Sequence, residues 1–343
     1  MKDYTLAVII PCWNCEPYIG QMLDCLLNQT FSDWKAFLVD DGCTDGTAAV
    51  IKGFSVEDAR INYVLRDRGP KGAQTCRNIG FDLSKGARYV VFFDADDLIA
   101  TYCFEQRVCF MDNHPNLDFG VFPAKAFVND IWDNTNYVYG IRFLDDDLQA
   151  LLNWNLPMVV WNNIYCRQSL VDYGLAWDEN LLSLQDSDFN IHALVKGMHY
   201  EYANVFVDYF YRIIDDGVAK KIRSEQQYDS HVYLLNKTLE LVSNHSKCYA
   251  FYLKNNVLLF VDLMQGNRSH LRQITKLPWI RKKVWFRFKL MLLLSLNFRG
   301  RKRLFPKEVL YSRQLSKCWT ESMEKTAERF RLNANGMANN EIF

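Results

Sequence analysis

Three aspartates at the end of an apolar run are the residues best suited to chemistry in this sequence. Residues 90–100 read VVFFDADDLIA, so Asp94, Asp96 and Asp97 directly follow a hydrophobic segment. Like charges this close repel one another and raise one another's pKa values. A fold tolerates such crowding mainly where a positive charge lies among the carboxylates. The stretch therefore predicts a site for a cation.

Alternating strand-like and helix-like segments lead up to these aspartates. The pattern predicts a βαβαβαβ order, which is typical of an α/β fold with a doubly wound, mainly parallel sheet. Asp45 is predicted to N-cap the second helix. The strands are expected at 6–10, 35–39, 61–65 and 88–93, and the helices at 18–29, 46–53 and 73–85.

Polar clusters follow three of these strands. They read PCWN after the first strand, DDG after the second and DADD after the fourth. In a parallel sheet, ligands bind beyond the carboxyl ends of the strands. Loops are polar in general, but three clusters at one edge of the sheet, two of them acidic, favour a binding site there.

The pattern becomes mixed after residue 100 and helical from about 225. We expect two parts, a domain over 1–220 and a helical C-terminal region over 221–343. The predicted elements in the mixed part are helices at 101–113 and 185–196 and strands at 119–128, 137–143 and 202–212.

Composition is that of an ordinary globular protein. The chain has 343 residues, 49% hydrophobic and 23% charged, with zero formal net charge. This balance does not point to nucleic acid as a partner. The apolar run after the N-terminus stops at Pro11, too early for a secretory signal, so we expect a cytoplasmic protein with reduced cysteines.

Two of the ten cysteines, Cys12 and Cys15, have C-x-x-C spacing after the first strand. This spacing is found in thioredoxin-like redox pairs. The alternative is two loop cysteines at the mouth of a site, which the sequence favours.

Residues 276–303 differ from the rest of the chain. They contain ten Lys or Arg, no Asp or Glu, and interleaved aromatic residues. Their apolar centre is shorter than the roughly 20 residues that a membrane-spanning helix needs. A basic amphipathic segment of this kind favours binding to an anionic membrane surface. Docking on the catalytic domain and RNA binding are the alternatives.

Five motifs in order give the chain a family likeness. LAVIIPCWNCEPYI, QTFSDW, LVDDGCTDGT, GAQTCRNIGF and VVFFDADD resemble the family 2 glycosyltransferases of the GT-A fold, over about residues 5–215. The resemblance implies transfer of a sugar from a nucleoside diphosphate sugar to an acceptor hydroxyl, with inversion at the anomeric carbon. A UDP-sugar is the favoured donor, and a glycan or lipid-linked molecule is the expected acceptor.

The resemblance also implies a nucleotide-sugar site. Asp40 and Asp41 correspond to residues that bind the nucleobase and ribose, although Asp41 alternatively only stabilises its turn. Arg77 is expected to bind the diphosphate or to orient the acidic loop; the alternative is an exposed helix residue in a surface ion pair. The full set of implied nucleotide-sugar-binding residues is Pro11, Asn14, Glu16, Asp40, Asp41, Arg77, Asp94 and Ala95.

Asp94 and Asp96 match the family's D-x-D motif. Strand periodicity puts these two on one side and Asp97 on the other. Two carboxylates that converge on one point suit Mn²⁺ or Mg²⁺, with the diphosphate supplying further oxygens. Such a cation would offset the carboxylate repulsion and stabilise the leaving nucleoside diphosphate. A solvated acidic turn is the alternative.

The base of the reaction is expected in the segment LLSLQDSDFNIHAL, residues 181–194. It resembles the family's Glu-Asp-x-x-Phe motif and has Asp186 at the base position. Gln185 stands where relatives often have Glu, so a second carboxylate is missing there. Asp188 is the competing base candidate, and its alternative role is that of a helix-surface acid.

An acceptor-side aromatic is implied in VVWNNIYCRQSL, residues 159–170. Trp161 is expected either to stack on a sugar face or to belong to the core. Tyr211 and Arg212 resemble a further family pair after the last strand.

These features predict an inverting, metal-dependent glycosyltransferase that builds a surface polysaccharide or lipid-linked glycan at the inner face of the cytoplasmic membrane. A non-catalytic nucleotide-sugar-binding or scaffold protein on the same fold is one rival. A sugar nucleotidyltransferase is the other, and it would normally have a Gly-rich, basic loop where this chain has PCWNCEP.

Overall fold

The computed structural model describes residues 3–131, 138–142, 146–152, 156–214 and 225–242. The strands in these ranges are β1 (Tyr4–Cys12), β2 (Trp34–Asp40), β3 (Ile61–Leu65), β4 (Ala87–Phe92), β5 (Leu98–Ile99), β6 (Phe119–Val121), β7 (Ala124–Phe127), β8 (Val138–Tyr139), β9 (Asn163–Cys166), β10 (Tyr200–Tyr202) and β11 (Tyr209–Arg212). The helices are α1 (Glu16–Leu27), α2 (Thr47–Glu57), α3 (Ala73–Leu83), α4 (Cys103–Asn113), α5 (Asp147–Leu152), α6 (Arg167–Asp172), α7 (Gln185–Val195) and α8 (Glu225–Val242).

A seven-stranded sheet forms the centre of the fold, in the order β10-β6-β9-β4-β1-β2-β3. The neighbours of β9 run antiparallel to it, and the other pairs are parallel. Residues 6–10 of β1 are fully buried, as an apolar strand covered on both faces should be. The predicted α/β architecture with a mainly parallel sheet is confirmed.

A four-stranded mixed sheet, in the order β5-β11-β7-β8, provides the smaller part of the fold. Its strand β5 begins one residue after Asp97, so this sheet directly supports the acidic loop. The strand predicted at 119–128 is two strands in different sheets, β6 and β7. Pro123 lies between them, and proline cannot donate a backbone hydrogen bond to continue a ladder. Likewise, only residues 209–212 of the strand predicted at 202–212 join this second sheet.

The N-termini of α1 and α2 are joined by two acidic side chains. Asp45 Oδ1 accepts a hydrogen bond from the Thr47 N–H, and its Oδ2 accepts one from the Glu16 N–H. In return, Glu16 Oε2 accepts from the Gly46 N–H at 2.8 Å. Gly46, not Asp45, is the N-cap of α2, so the predicted cap is one residue off. The exchanged carboxylates fix the loop after β1 against the loop after β2.

Close packing also fixes α3, the helix that carries Arg77. A Cβ atom added to Gly80 would overlap Cγ2 of Ile9 in β1, so glycine permits this approach of helix to strand. Arg77 lies about one helical turn before Gly80 and is thereby held near the end of β1.

The predicted helical C-terminal region is described only at its start. Residues 225–242 form helix α8. Residues 243–343, which include the basic segment 276–303, lie outside the described residues. In the described ranges, no helix combines the length and apolarity that crossing a membrane requires.

Candidate active site

The carboxyl ends of β1, β2 and β4 meet at one edge of the large sheet. Cys12 at the end of β1 pairs in register with Asp40 at the end of β2. On the other side of β1, Ile9 pairs with Phe92, the last residue of β4. The three polar clusters predicted at this edge are therefore brought together.

Arg77 and Asp94 form an ion pair at the centre of this edge. Nη2 of Arg77 donates to Oδ1 of Asp94 at 2.6 Å. The Arg77 side chain is only 5% exposed, whereas that of Asp94 is 30% exposed. The guanidinium also lies 4.6 Å from the ring centroid of Trp177, and its Nε is buried without a hydrogen-bond partner. Arg77 thus orients the acidic loop, and the exposed-helix alternative is wrong.

Asp97 is turned away from this ion pair towards the smaller sheet. Its carboxylate accepts hydrogen bonds from the Tyr209 hydroxyl at 2.6 Å and the Arg212 N–H at 2.7 Å. Burial, followed by the charges of Asp96 and Asp94, raises the pKa of Asp97 well above its ordinary value. Residues 94–97 form a turn and not a strand, but the side chain of Asp97 still points away from the Arg77–Asp94 ion pair. It anchors the loop to β11.

Among the described residues, the Asp96 side chain has neither an ion pair nor the hydrogen bonds that anchor Asp97. Burial and the neighbouring Asp94 raise its pKa to about 6. Arg212 is the nearest cationic influence, but its Nε donates to the Asp96 carbonyl oxygen, not to the side chain. A divalent cation beside Asp94 and Asp96 would relieve this repulsion, so the donor set fits a hard metal ion.

Within the described ranges, no three His, Cys, Asp or Glu side chains are grouped so that they could hold a metal ion on their own. A cation at Asp94 and Asp96 would therefore need further oxygen ligands from a bound molecule. This requirement agrees with the prediction that a diphosphate completes the metal site.

Asp186 lies in the first turn of α7, near enough to Arg77 and Asp94 for their charges to act on it. Its Oδ1 is shielded from solvent and has no hydrogen-bond partner among the described residues. Burial raises its pKa to about 6; the Arg77 charge acts in the opposite direction, and the Asp94 charge adds to the rise. An unpartnered carboxylate with such a pKa can accept a proton near neutral pH. Phe189, at the aromatic position of the Glu-Asp-x-x-Phe motif, is buried.

Asp188, the competing base candidate, is already engaged. Its side chain is buried and accepts a hydrogen bond from Lys237 Nζ of α8 at 2.8 Å. Its alternative role as a surface acid is also wrong, because only 3% of the side chain is exposed. Gln185, which replaces the usual glutamate, donates through Nε2 to Gln74 Oε1 at 3.0 Å.

Asp40 and Asp41 are both buried and hydrogen-bonded within the protein. Asp40 stabilises the turn after β2: although burial opposes its charge, hydrogen bonds from Cys43, Tyr63 and Gly42 lower its pKa. Asp41 pairs with Arg66 at 2.6 Å. The turn-stabilising role considered for Asp41 therefore belongs to Asp40, and Asp41 instead binds the loop that follows β3.

The remaining predicted nucleotide-sugar residues line the loops of this edge. Asn14 has a positive φ of 48° and accepts the Thr44 N–H through Oδ1 at 2.8 Å. Glu16 bridges the two helix N-termini as described above. Pro11 lies near the end of β1 opposite Val39, and Ala95 is buried between the two D-x-D aspartates.

Trp161 belongs to the core, which corrects the expectation that it stacks on an acceptor sugar. Only 3% of the residue is exposed. Its ring stacks on Tyr209 at 4.9 Å and on Tyr211 at 5.5 Å, and Tyr139 packs against it edge-on at 5.3 Å. A sugar could reach this ring only after the surrounding aromatic residues had repacked.

Sequence reasoning missed Trp13 as a site residue. It lies in the loop after β1, is 54% exposed, and has Lys71 Nζ 4.8 Å from its ring centroid. An exposed aromatic face at a ligand-binding edge can stack on a nucleobase. The sequence feature that could have indicated Trp13 is its position in PCWN, the polar cluster that follows the first strand.

The cysteines of the C-x-x-C pair are free thiols in this structure. Cys12 is the last residue of β1 and Cys15 is the N-cap of α1, and both are buried. They therefore belong to the framework beneath the loop that carries Trp13 and Asn14.

Comparison with known proteins identifies the domain. Residues 7–174 match the family described as Glycosyl transferase family 2. This part of the chain is a family 2 glycosyltransferase domain. The predicted family resemblance is therefore confirmed, and the match includes Arg77 and the acidic loop but ends before Asp186.

Curated relatives of this domain are glycosyltransferases by name. EpsJ of Bacillus subtilis, an uncharacterized glycosyltransferase, is 29% identical over 197 residues, which are 55% of each chain. WfgD of Escherichia coli, named a UDP-Glc:alpha-D-GlcNAc-diphosphoundecaprenol beta-1,3-glucosyltransferase, is 32% identical over 32% of this chain and 42% of its own. The chain thus spans about half or less of these relatives.

Solved structures share the fold. TarS residues 1–349 from S. aureus, crystallised with UDP-GlcNAc, superimposes with a TM-score of 0.59 and 16% identity, over 96% of this chain and 92% of that one. The mannosyltransferase PcManGT from Pyrobaculum calidifontis, in complex with GDP-Man and Mn²⁺, superimposes with a TM-score of 0.51 and 13% identity. The match covers 95% of this chain and 88% of that one. These likenesses confirm the predicted GT-A fold.

Replacing Asp186 by Asn is expected to stabilise the folded protein at neutral pH. The folded-state pKa is raised, so the fold favours the protonated carboxyl and loses stability as pH rises from about 4 to about 6. The variant avoids this loss, which for a rise of about two pKa units is up to about 3 kcal/mol. Urea unfolding of the variant and the wild type at pH 7 and pH 4 measures this difference in the free energy of unfolding.

The matched control is Asp24→Asn, on the exposed face of α1. Its unfolding free energy should stay within about 0.5 kcal/mol of the wild type at both pH values. An Asp186→Asn protein no more stable than the wild type at pH 7 would contradict the assigned burial of this carboxyl.

Proposed function

We propose that this chain is an inverting, metal-dependent glycosyltransferase that moves a sugar from a nucleoside diphosphate sugar to an acceptor hydroxyl. The observation that carries the proposal is the arrangement at the sheet edge. A buried guanidinium, Arg77, pairs with Asp94 of the D-x-D loop and acts electrostatically on the unpartnered carboxyl of Asp186. The family 2 domain supports the reaction class.

Asp186 is the proposed general base. With a pKa of about 6 it is mostly ionised at neutral pH, yet it still has enough basicity to accept the proton of an acceptor hydroxyl. Removal of this proton lets the hydroxyl oxygen attack the anomeric carbon directly, on the face opposite the leaving diphosphate. A single displacement of this kind inverts the configuration at that carbon.

Asp94 and Asp96 would hold Mn²⁺ or Mg²⁺ together with diphosphate oxygens. When bound, the cation supplies positive charge that stabilises the leaving nucleoside diphosphate. Arg77 pairs with Asp94 and orients it, and the Nε–H of Arg77, which has no partner among the described residues, is a further hydrogen-bond donor of the guanidinium.

A UDP-sugar is the proposed donor. The TarS structures were obtained with UDP-GlcNAc and with UDP, and WfgD is named for a UDP-glucose donor. Trp13 offers an exposed ring for a base such as uracil, with Lys71 beside it. A glycan or lipid-linked hydroxyl is the proposed acceptor, because named relatives include a minor teichoic acid biosynthesis protein and a putative teichuronic acid glycosyltransferase of B. subtilis.

Metal-assisted donor binding is the direct test of the site. Calorimetry should detect UDP binding that Mn²⁺ tightens by about tenfold, or about 1.4 kcal/mol. Asp96→Asn should abolish the manganese increment because it removes a ligand, whereas Asp24→Asn should retain it. Equal UDP affinity with and without Mn²⁺ in the wild type would refute the metal site. If the wild type bound no nucleoside diphosphate at all, the hypothesis that the chain is a glycosyltransferase would be refuted.

The pH dependence of transfer tests the base. We expect kcat/KM to rise with pH as Asp186, whose pKa is about 6, loses its proton. Asp186→Asn should lower kcat by about 10²- to 10⁴-fold while UDP binding persists. Near wild-type turnover in this variant, measured with a panel of nucleotide sugars, would show that another group is the base.

We further propose that the protein is cytoplasmic and works peripherally at the inner face of the cytoplasmic membrane. The support is compositional: residues 276–303 carry ten basic and no acidic residues among aromatic ones. Co-sedimentation of the full chain should be strong with anionic vesicles and weak with neutral vesicles. Absence from both pellets would remove this part of the proposal.

A further inference from the structure

Helix α8 lies against the segment that carries Asp186. The Leu182 N–H donates to Ser230 Oγ of α8 at 2.9 Å. Val242 at the other end of α8 packs with Ile191 of α7 in an apolar cluster. The helix therefore contacts both the turn that precedes the base-bearing helix and the body of that helix.

This turn has a conformation that needs external support. Leu184, the N-cap of α7, has φ 59° and ψ 26°, the left-handed region that a residue with a Cβ rarely adopts. Asp186 follows two residues later, so relaxation of this turn would displace the carboxyl.

Lys237 of α8 joins two acidic residues from different segments. Its Nζ donates to Asp178 Oδ2 at 2.6 Å and to Asp188 Oδ2 at 2.8 Å. Only 25% of the lysine side chain is exposed, and the carboxylates are 10% and 3% exposed. Tyr233, one turn earlier on α8, donates to Asp178 Oδ2 as well, at 2.9 Å. Without the ammonium group, Asp178 would keep the hydrogen bonds from Tyr233 and Asn180 and Asp188 would keep His192 nearby, but the contact that joins the two carboxylates would be lost.

The two segments joined by Lys237 are those that flank the reacting groups. Asp188 is two residues after Asp186 in the first turn of α7. Asp178 directly follows Trp177, whose ring lies under the Arg77 guanidinium and stacks on Phe189 of α7 at 4.3 Å. One ammonium group from α8 thus fixes the distance between the support of Arg77 and the first turn of the base-bearing helix.

We propose that Lys237 is a positioning residue for the transfer reaction, which sets Asp186 at its working distance from Arg77 by pairing with Asp178 and Asp188. The proposal rests on the proposed function, because it takes Asp186 as the base. A base must lie within hydrogen-bond reach of the proton that it removes, and a displacement of about 1 Å can lower the rate by about 10²-fold. The C-terminal region accordingly takes part in the geometry of the active site.

The test compares Lys237→Met, Lys237→Arg and the control Lys196→Met in the full chain. Lys196, at the C-terminal end of α7, is exposed and donates to the Tyr173 carbonyl, without an acidic partner. The readouts are amide hydrogen exchange over residues 181–190, UDP binding, and kcat and donor KM. UDP titration also gives the fraction of folded protein.

Lys237→Met should speed exchange over residues 181–190 and lower kcat by about 10- to 100-fold, with donor KM and UDP affinity within about threefold of the wild type. Lys237→Arg should recover most of the activity, because a guanidinium can also pair with both carboxylates. Lys196→Met should resemble the wild type. Should Lys237→Met fold poorly, Tyr233→Phe, which removes one bond to Asp178, should give a smaller effect in the same direction.

Unchanged exchange over residues 181–190 in the Lys237 variants would overturn the proposal, as would a kcat that falls only in proportion to the folded fraction. Failure of the proposed function has a different signature. In that case the wild type transfers no sugar from any donor, although exchange over the same residues still responds to loss of Lys237.

Discussion

The ion pair between the buried Arg77 and the partly exposed Asp94 is the interaction on which the site depends. Asp94, Asp96 and Asp186 converge on the carboxyl edge of the sheet, and burial disfavours the charge of Asp96 and Asp186. Arg77 is the buried protein cation beside Asp94, and its field also acts on Asp186. Without Asp94, the buried guanidinium of Arg77 would lose its ion-pair partner, which is unfavourable. The guanidinium therefore permits the carboxylates to be crowded.

The charge balance remains incomplete, and this is consistent with a binding site. Asp96 has a raised pKa, and Arg77 Nε and Asp186 Oδ1 are buried without hydrogen-bond partners among the described residues. Native cores seldom leave such groups unmatched, and exceptions concentrate where a ligand completes the set. A cation, a diphosphate and a hydroxyl would supply the three missing partners. The site is thus organised before its ligands arrive, with stability given up for reactivity.

Two further layers hold this arrangement in place. On one side, β11 of the smaller sheet binds the acidic loop through Tyr209 and Arg212, which pair with Asp97. On the other side, α8 binds helix α7 and the segment around Trp177 through Lys237. Each support is distant along the chain from the segment that it holds, by 112 residues between Tyr209 and Asp97 and by 49 residues between Lys237 and Asp188. Each fixes a loop whose own backbone would not define the positions of its charged side chains.

The sequence by itself determined the elements and the motifs. The apolar runs around residues 6–10 and 88–93 can only be buried strands, and the polar clusters after them must share one edge of a parallel sheet. The tertiary structure decided which polar residue does what. It assigned Asp188 to an ion pair with Lys237, Asp40 to a turn, and Trp161 to a stack with Tyr209 and Tyr211. The local sequence pattern determines whether a side chain is buried and which face of its helix or strand it occupies. An ion pair or a ring stack also needs a partner tens of residues away along the chain, and only folding brings the two partners into contact.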